Sequence, residues 1–191
     1  MNNQIGFSIL ELLVALTIAS VLLTVANSSM RTIQHDNGLS ALADRLHSAM
    51  SLARSTAISA NSEVTICQRD GLSLSCNDNG SWHDGWLVWA DLDDDDLIEP
   101  VNQNGQQEII ASTAALPTDI YVQLQHDLYR HQIVFNPLGE AHNELRHVTQ
   151  AFHLCDSRLT TPTHRKIIYL NGSGQAWQQN DRHDSICTHL K

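Results

Sequence analysis

The sequence has few basic side chains. Its 191 residues include 11 Lys and Arg against 21 Asp and Glu, and the formal net charge is −10. Residues 61–125 contain twelve acidic side chains and a single base, Arg69. Because phosphate binding depends on neutralisation by Lys and Arg, this balance excludes a surface that coats nucleic acid in general. Any nucleic-acid binding would be confined to a local patch.

The common motifs of catalysis and cofactor binding are also missing. The sequence has no phosphate-cradling glycine loop, no serine nucleophile elbow and no HExxH metal motif. His153, Cys155 and Asp156 are close in sequence, but a catalytic cysteine must be free and activated. A disulfide is the better use of Cys155. We therefore expect no enzymatic activity and no cofactor.

The four cysteines form no CxxC pair, which leaves zinc-ribbon and thioredoxin-like sites without support. Their even number favours disulfides, although the sequence leaves the connectivity open. A bond from Cys67 to Cys76 would close the turn-rich stretch between them, and one from Cys155 to Cys187 would hold the C-terminal tail. Such bonds indicate the periplasm in a cell with an inner membrane. The alternative is four buried thiols in a cytosolic protein.

A long apolar run near the N-terminus is the most informative feature. Residues 7–27 carry one charge, Glu11, and are long enough to cross the hydrocarbon core of a bilayer as a helix. A secretory signal would have a basic leader and a shorter apolar run, whereas residues 1–6 contain no Lys or Arg. A plain signal anchor is the alternative. However, a carboxylate inside a membrane helix costs about 2.5–3.5 kcal/mol and usually marks a function.

The segment GFSILE at residues 6–11 resembles the processing motif of type IV pilins and type II secretion pseudopilins. The resemblance implies that a prepilin peptidase cuts between Gly6 and Phe7 and that the new N-terminal Phe7 is methylated. Residues 1–6 are then the leader peptide, although such leaders usually carry a basic residue. Glu11 becomes the assembly carboxylate, which pairs with the free α-amino group of a neighbouring subunit in the apolar filament core.

The helical pattern continues beyond the apolar run. Small and apolar residues recur mostly three and four positions apart, which predicts an amphipathic continuation of the helix over residues 28–60. This stripe consists of Met30, Ile33, Leu42, Leu46, Ala49, Ala53 and Ala57. Gly38 is either a bend or a tolerated surface glycine. The first half of the helix would lie in lipid or among other subunits, and the second half would pack on a head domain.

The predicted head comprises residues 61–191 and has the period of β-strands. Its strand candidates are residues 63–67, 86–89, 121–124, 131–135 and 166–170. Turn signals rich in Asn and Gly separate them, at residues 77–80, 104–105, 136–139 and 171–172. The pattern favours the α+β class, in which one long helix packs on an antiparallel sheet or a small β-sandwich.

Residues 52–58 of the predicted helix and residues 64–67, 82–91 and 109–110 of the predicted head form four blocks. These blocks resemble the GspH/FimT family of minor pilins and pseudopilins. The resemblance implies a pilin-like fold and a structural subunit at a priming or tip position, in a type IV pilus or a type II secretion pseudopilus. The implied partners are other major and minor pilins, the prepilin peptidase and the assembly platform of the inner membrane. The chain would cross that membrane once, with its head in the periplasm. Trp82, Trp86 and Trp89 are expected to fill the core.

DNA binding is the alternative function, because some FimT-like members act in natural transformation through a basic C-terminal stretch. The corresponding residues 171–177, NGSGQAW, lack its arginines. The candidate nucleic-acid patch is then Arg158, Arg165, Lys166 and Trp177. The missing arginines and the negative net charge make DNA binding the less favoured of the two functions.

The acidic residues 91–96 are similar to the start of an EF-hand loop, with carboxylates at Asp91, Asp93 and Asp95. The match ends there, since the sixth position is Asp96 rather than glycine and the twelfth position is not glutamate. A solvated acidic loop without metal is therefore expected. A loosely held calcium ion at Asp91, Asp93 and Asp95 is the alternative, because neighbouring carboxylates repel one another.

Overall fold

A computed structural model describes most of the chain. It covers residues 8–71, 73–77, 79–93, 97–125, 131–142, 149–158 and 166–179, and residue 187; the side chains of residues 24–33, 35 and 142 lie outside the description. The chain divides into two compact units, Met1–Asn37 and Gly38–Lys191. The division falls inside the helix α1, which spans Ile9–Ala60.

The second unit contains the end of α1 and all the described strands. One face of this helical segment is buried at spacings of three and four, as expected of a helix that covers a core on one side. The buried residues are Leu39, Leu42, Ala43, Leu46, Ala49, Met50, Ala53 and Ala57. This stripe agrees with the pattern predicted from Leu42 onward, whereas the side chains of Met30 and Ile33 lie outside the described residues. Gly38 is helical and has open space around it, and a bend there stays a prediction.

The helix ends in a cap that its sequence explains. Asn61 adopts a positive φ of 52°, a conformation that asparagine tolerates better than most residues. The amide of Ser62 donates a hydrogen bond to the carbonyl oxygen of Ala57 at 3.3 Å. The Ser62 hydroxyl donates to the carbonyl oxygen of Asp91 at 2.8 Å, which ties the helix end to the segment after a strand of the sheet.

Nine strands within the described residues form two antiparallel sheets. Their bounds are β1 Val64–Gln68, β2 Trp86–Ala90, β3 Ile109–Thr113, β4 Ile120–Leu124, β5 Gln132–Phe135, β6 Ala141–His142, β7 Gln150–Asp156, β8 Lys166–Leu170 and β9 Ala176–Gln179. The first sheet has the order β3-β2-β1-β5-β6, and the second has the order β4-β7-β8-β9. The five predicted strands correspond to β1, β2, β4, β5 and β8, and the other four were not predicted as strands.

One apolar core joins the helix to both sheets. It contains the buried face of α1, alternate residues of β1 and β2, and apolar residues of β5, β7 and β8. Trp82 meets Phe152 edge to face, with ring centroids 5.6 Å apart. Trp82 and Trp86 are buried, as predicted, whereas Trp89 is only half-buried. The architecture confirms the predicted α+β class, with a helix packed on antiparallel sheets.

Candidate functional site

Glu11 lies in the first turn of α1, within an exposed apolar face. Val14, Ala15 and Ile18 follow it at helical spacings of three, four and seven and line the same face. Glu11 is the only charged side chain among residues 8–23, and all these side chains are exposed. An isolated chain would leave this apolar surface in water, so the face is suited to burial against other molecules.

Two hydroxyl groups in the exposed segment of this helix are satisfied within it. Thr17 donates to the carbonyl oxygen of Val14 at 2.8 Å, and Ser20 donates to the carbonyl oxygen of Thr17 at 2.8 Å. Such bonds let a hydroxyl enter an apolar environment without an unpaired donor. The side chain of Glu11 makes no hydrogen bond or ion pair within the described part of the chain. Its carboxylate is therefore available to a partner.

The predicted processing site lies beyond the described part of the chain. Gly6 and Phe7 lie outside the described residues, and so do the side chains of residues 24–27 at the end of the predicted span 7–27. No helical stretch in the described part of the chain combines the length and the apolar character needed to cross a bilayer.

Two disulfides join the four cysteines. Cys67 is bonded to Cys76, and Cys155 is bonded to Cys187. The sequence analysis named these two pairings but left the connectivity open. Tyr121 supports the second bond, since its hydroxyl donates to the carbonyl oxygen of Cys187 at 3.0 Å. The first bond fixes the segment around Cys76 to β1, and the second fixes Cys187 to β7.

The described residues of the acidic segment lie close to Glu108, which the sequence analysis did not identify. Asp91 and Asp93 lie with Glu108, and one carboxylate oxygen from each lies within 4.8 Å of the other two. Asp95, the third carboxylate of the calcium alternative, lies outside the described residues. The sequence position of Glu108 could have identified it, since it directly precedes Ile109. An antiparallel pairing of β2 with β3 brings the two ends of their connection together, and Glu108 stands at one of those ends.

Among the described candidate nucleic-acid residues, Arg158 is not a free base. Arg158 donates to Asp156 at 2.7 Å and 2.9 Å and forms an ion pair with Asp119 at 3.2 Å. Hydrogen bonds with Asp156 raise the pKa of Arg158 above its usual value, so its charge is held between two carboxylates. Trp177 stacks on Tyr169 with centroids 5.3 Å apart. Lys166 is half-buried in β8, and Arg165 lies outside the described residues.

Two family models match the sequence. Residues 1–27 match the prokaryotic N-terminal methylation motif. Residues 42–174 match the type II transport protein GspH. The chain belongs to the GspH family. It is a minor pilin or pseudopilin, as the sequence analysis predicted, and DNA binding of the FimT kind is not favoured for this GspH-family protein.

Crystal structures of a minor pilin share the fold of this GspH-family chain. The type IV minor pilin FimU of Pseudomonas aeruginosa is 14% identical with a TM-score of 0.51, over 75% of this chain and 89% of FimU. A second crystal form of FimU is 13% identical with a TM-score of 0.50, over 73% and 91%. The minor pseudopilin EpsH from the type 2 secretion system of Vibrio cholerae is 9% identical with a TM-score of 0.48, over 74% and 95%. Among curated proteins no sequence match is found.

Proposed function

We propose that this chain is a structural subunit that is cut between Gly6 and Phe7, methylated at Phe7 and assembled into a filament through Glu11. The match of residues 1–27 to the N-terminal methylation motif carries the proposal. In this account the prepilin peptidase removes the leader and the inner-membrane assembly platform delivers the subunit. The subunit then takes a priming or tip position among other major and minor pilins.

The surroundings of Glu11 support the assembly role. A lone carboxylate on an apolar face is unfavourable when that face is buried, unless a cation pairs with it. Cutting after Gly6 creates such a cation, the α-amino group of Phe7 on a neighbouring subunit. Pairing with it would also fix the register between two otherwise featureless apolar helices.

The rest of the chain supports a structural role rather than catalysis. Cys155 is held in a disulfide with Cys187 and offers no thiolate. His153 is buried in β7 and is 1% exposed. We infer that the GspH-family head lies in the periplasm, where both disulfides are stable, and that the N-terminal segment anchors the protein in the inner membrane.

Substitutions at Glu11 test the assembly role in the native host. Glu11→Ala should leave cleavage intact but reduce the amount of this subunit in sheared filaments or in complexes with other pilins, because the subunit amine loses its counter-charge. Immunoblots of the filament and membrane fractions measure both effects. Glu63→Ala is the matched control, since Glu63 is an exposed carboxylate of the head, and it should change neither.

A conservative substitution separates assembly from a purely local role. An acidic side chain in a first helical turn also stabilises its own helix through the macrodipole. Glu11→Asp keeps that charge but shortens the side chain by one methylene group. The proposal predicts reduced incorporation for Glu11→Asp as well. Incorporation equal to the wild type for both Glu11→Asp and Glu11→Ala would remove the assembly role.

A further inference from the structure

The connection between β2 and β3 begins and ends with carboxylates. Asp91 directly follows β2, Asp93 lies two residues further, and Glu108 directly precedes β3. The amide of Ala90 donates to the carbonyl oxygen of Glu108 at 3.0 Å. This bond closes the connection at its base. The three carboxylates are thereby brought together, with oxygens within 4.8 Å of one another.

The burial of the Glu108 carboxylate is the observation that indicates a bound ligand in this cluster. Its side chain is 0% exposed, and its Oε1 accepts hydrogen bonds from the amide of Leu92 and from Nδ2 of Asn102, each at 3.2 Å. Its Oε2 is also buried but has no hydrogen-bond partner among the described residues. Burying half a carboxylate without a partner is costly, and two neighbouring carboxylates add repulsion. A cation shared by all three would remove both costs.

The loop holds this arrangement in place through its own hydrogen bonds. Asn102 is 5% exposed, and its Oδ1 accepts from the amide of Gln106 at 2.9 Å while its Nδ2 reaches Glu108. At the other end, the hydroxyl of Ser62 donates to the carbonyl oxygen of Asp91 at 2.8 Å. Because both ends of the connection are fixed, binding of an ion would order little additional chain.

We propose that Asp91, Asp93 and Glu108 bind a calcium ion. Carboxylate oxygens are the ligands that hard divalent cations take, and calcium–oxygen distances of about 2.3–2.6 Å let two ligands lie up to roughly 5 Å apart. The 4.8 Å bound on the cluster fits within that span. Magnesium keeps several of its own waters and is usually bound by only one or two carboxylates, so a set of three carboxylates favours calcium. Water fills the remaining positions around the calcium ion.

The affinity follows from the number of protein ligands. Three carboxylates are fewer than an EF-hand supplies, so we expect a Kd of about 0.1–1 mM, in the range of extracellular calcium modules. Because the ion binds the folded loop, it stabilises the native protein. A ten- to hundredfold excess of calcium over Kd should raise Tm by roughly 3–10 °C for a protein of this size.

Thermal unfolding of the full chain in detergent tests the proposal. The protein is first treated with EDTA and then unfolded in EDTA, in calcium chloride or in magnesium chloride, with tryptophan fluorescence as the readout. Calcium should raise Tm by the stated amount, and magnesium at the same concentration should raise it less. Isothermal titration calorimetry with calcium chloride should give one ion per chain.

Glu108→Gln gives the sharpest comparison, because it keeps the shape and the Oε1 acceptor but removes the charge. In EDTA the variant should unfold at the same temperature as the wild type or higher, since repulsion is relieved. In calcium the order should reverse, because only the wild type is stabilised. Glu63→Gln is the matched control at an exposed position and should respond to calcium as the wild type does.

Three results would overturn the proposal. The first is a wild-type Tm that calcium does not change. The second is a calcium response that survives in both Glu108→Gln and Asp93→Asn, which would place the ion elsewhere. The third is an equal response to magnesium, which would remove the assignment to calcium. If Glu108→Gln does not fold, Asp93→Asn alone decides, because Asp93 is only half-buried and asparagine keeps the shape of its side chain.

Discussion

The carbonyl oxygen of Gly139 occupies the position that a Cβ atom on Gly174 would need. Each glycine closes a four-residue turn that begins with asparagine: Gly139 donates to Asn136 at 2.8 Å, and Gly174 donates to Asn171 at 2.9 Å. Nε of Arg54 on α1 donates to the carbonyl oxygen of Gly139 at 2.9 Å. The two turns therefore meet at backbone contact distance, with no room for a side chain between them, and the Arg54 side chain joins the helix to the first turn.

This contact predicts a large effect of Gly174→Ala. Gly174 has a φ of 74°, and an added Cβ would also meet backbone atoms of Gly139. We expect a loss of about 2–4 kcal/mol in the free energy of unfolding, from strained φ together with the clash. Gly105→Ala is the control, because Gly105 has a φ of 78° and open space around it; it should cost only about 1 kcal/mol. Urea titrations that give equal losses for the two variants would contradict the close approach of the turns.

A second prediction concerns the ion pairs of Arg158. The carboxylate side chain of Asp156 is 0% exposed, whereas that of Asp119 is 44% exposed. Arg158→Ala removes the cation from the buried carboxylate and should lower the free energy of unfolding by about 1–3 kcal/mol. Asp119→Ala removes only the exposed ion pair and should cost less than about 1 kcal/mol. The prediction fails if Asp119→Ala is the more damaging substitution in denaturant titrations.

The disulfides lead to a third prediction. Cys155 and Cys187 are 32 residues apart, whereas Cys67 and Cys76 are 9 apart. A bond that closes a longer loop removes more entropy from the unfolded chain. Replacing both Cys155 and Cys187 by alanine should therefore destabilise the protein by about 1 kcal/mol more than replacing both Cys67 and Cys76. Denaturant midpoints of the two double variants, compared with the wild type, measure the difference. The reverse order would show that local packing outweighs loop closure here.

The turns of the head were predictable because their chemistry is local. In residues 136–139 the side-chain oxygen of Asn136 accepts from the amides of Leu138 and Glu140 at 3.0 Å and 2.9 Å. The last residue, Gly139, supplies a φ of 76°. Both properties belong to the residue types themselves, so a run such as Asn-x-x-Gly predicts a turn without knowledge of the fold.

The strand β7 was missed for the opposite reason. All seven of its residues, QAFHLCD, are buried, so neither face leaves the polar alternation that marks a half-exposed strand. The segment also contains no β-branched residue and one aromatic residue, Phe152, so the compositional signal for a strand is weak. Its place between β4 and β8 depends on the whole sheet and not on its own composition.

The two candidate sites also differ in how far they could be predicted from neighbouring residues in the sequence. The segment around Glu11 was predictable because its whole signal, a charge in an apolar run after Gly6 and Phe7, lies within a few residues. The acidic cluster was only half predictable. Asp91 and Asp93 are neighbours in sequence, but Glu108 joins them through the pairing of β2 with β3, and β3 itself was not predicted.

Mass spectrometry of the mature protein from its native host tests the central claim most directly, because the proposed assembly role of Glu11 depends on a new N-terminus nearby. The account predicts a chain that begins at Phe7 and carries a methyl group on its α-amino nitrogen. A chain that still begins at Met1, or one cut well beyond residue 27, would contradict the proposed processing and the role of Glu11.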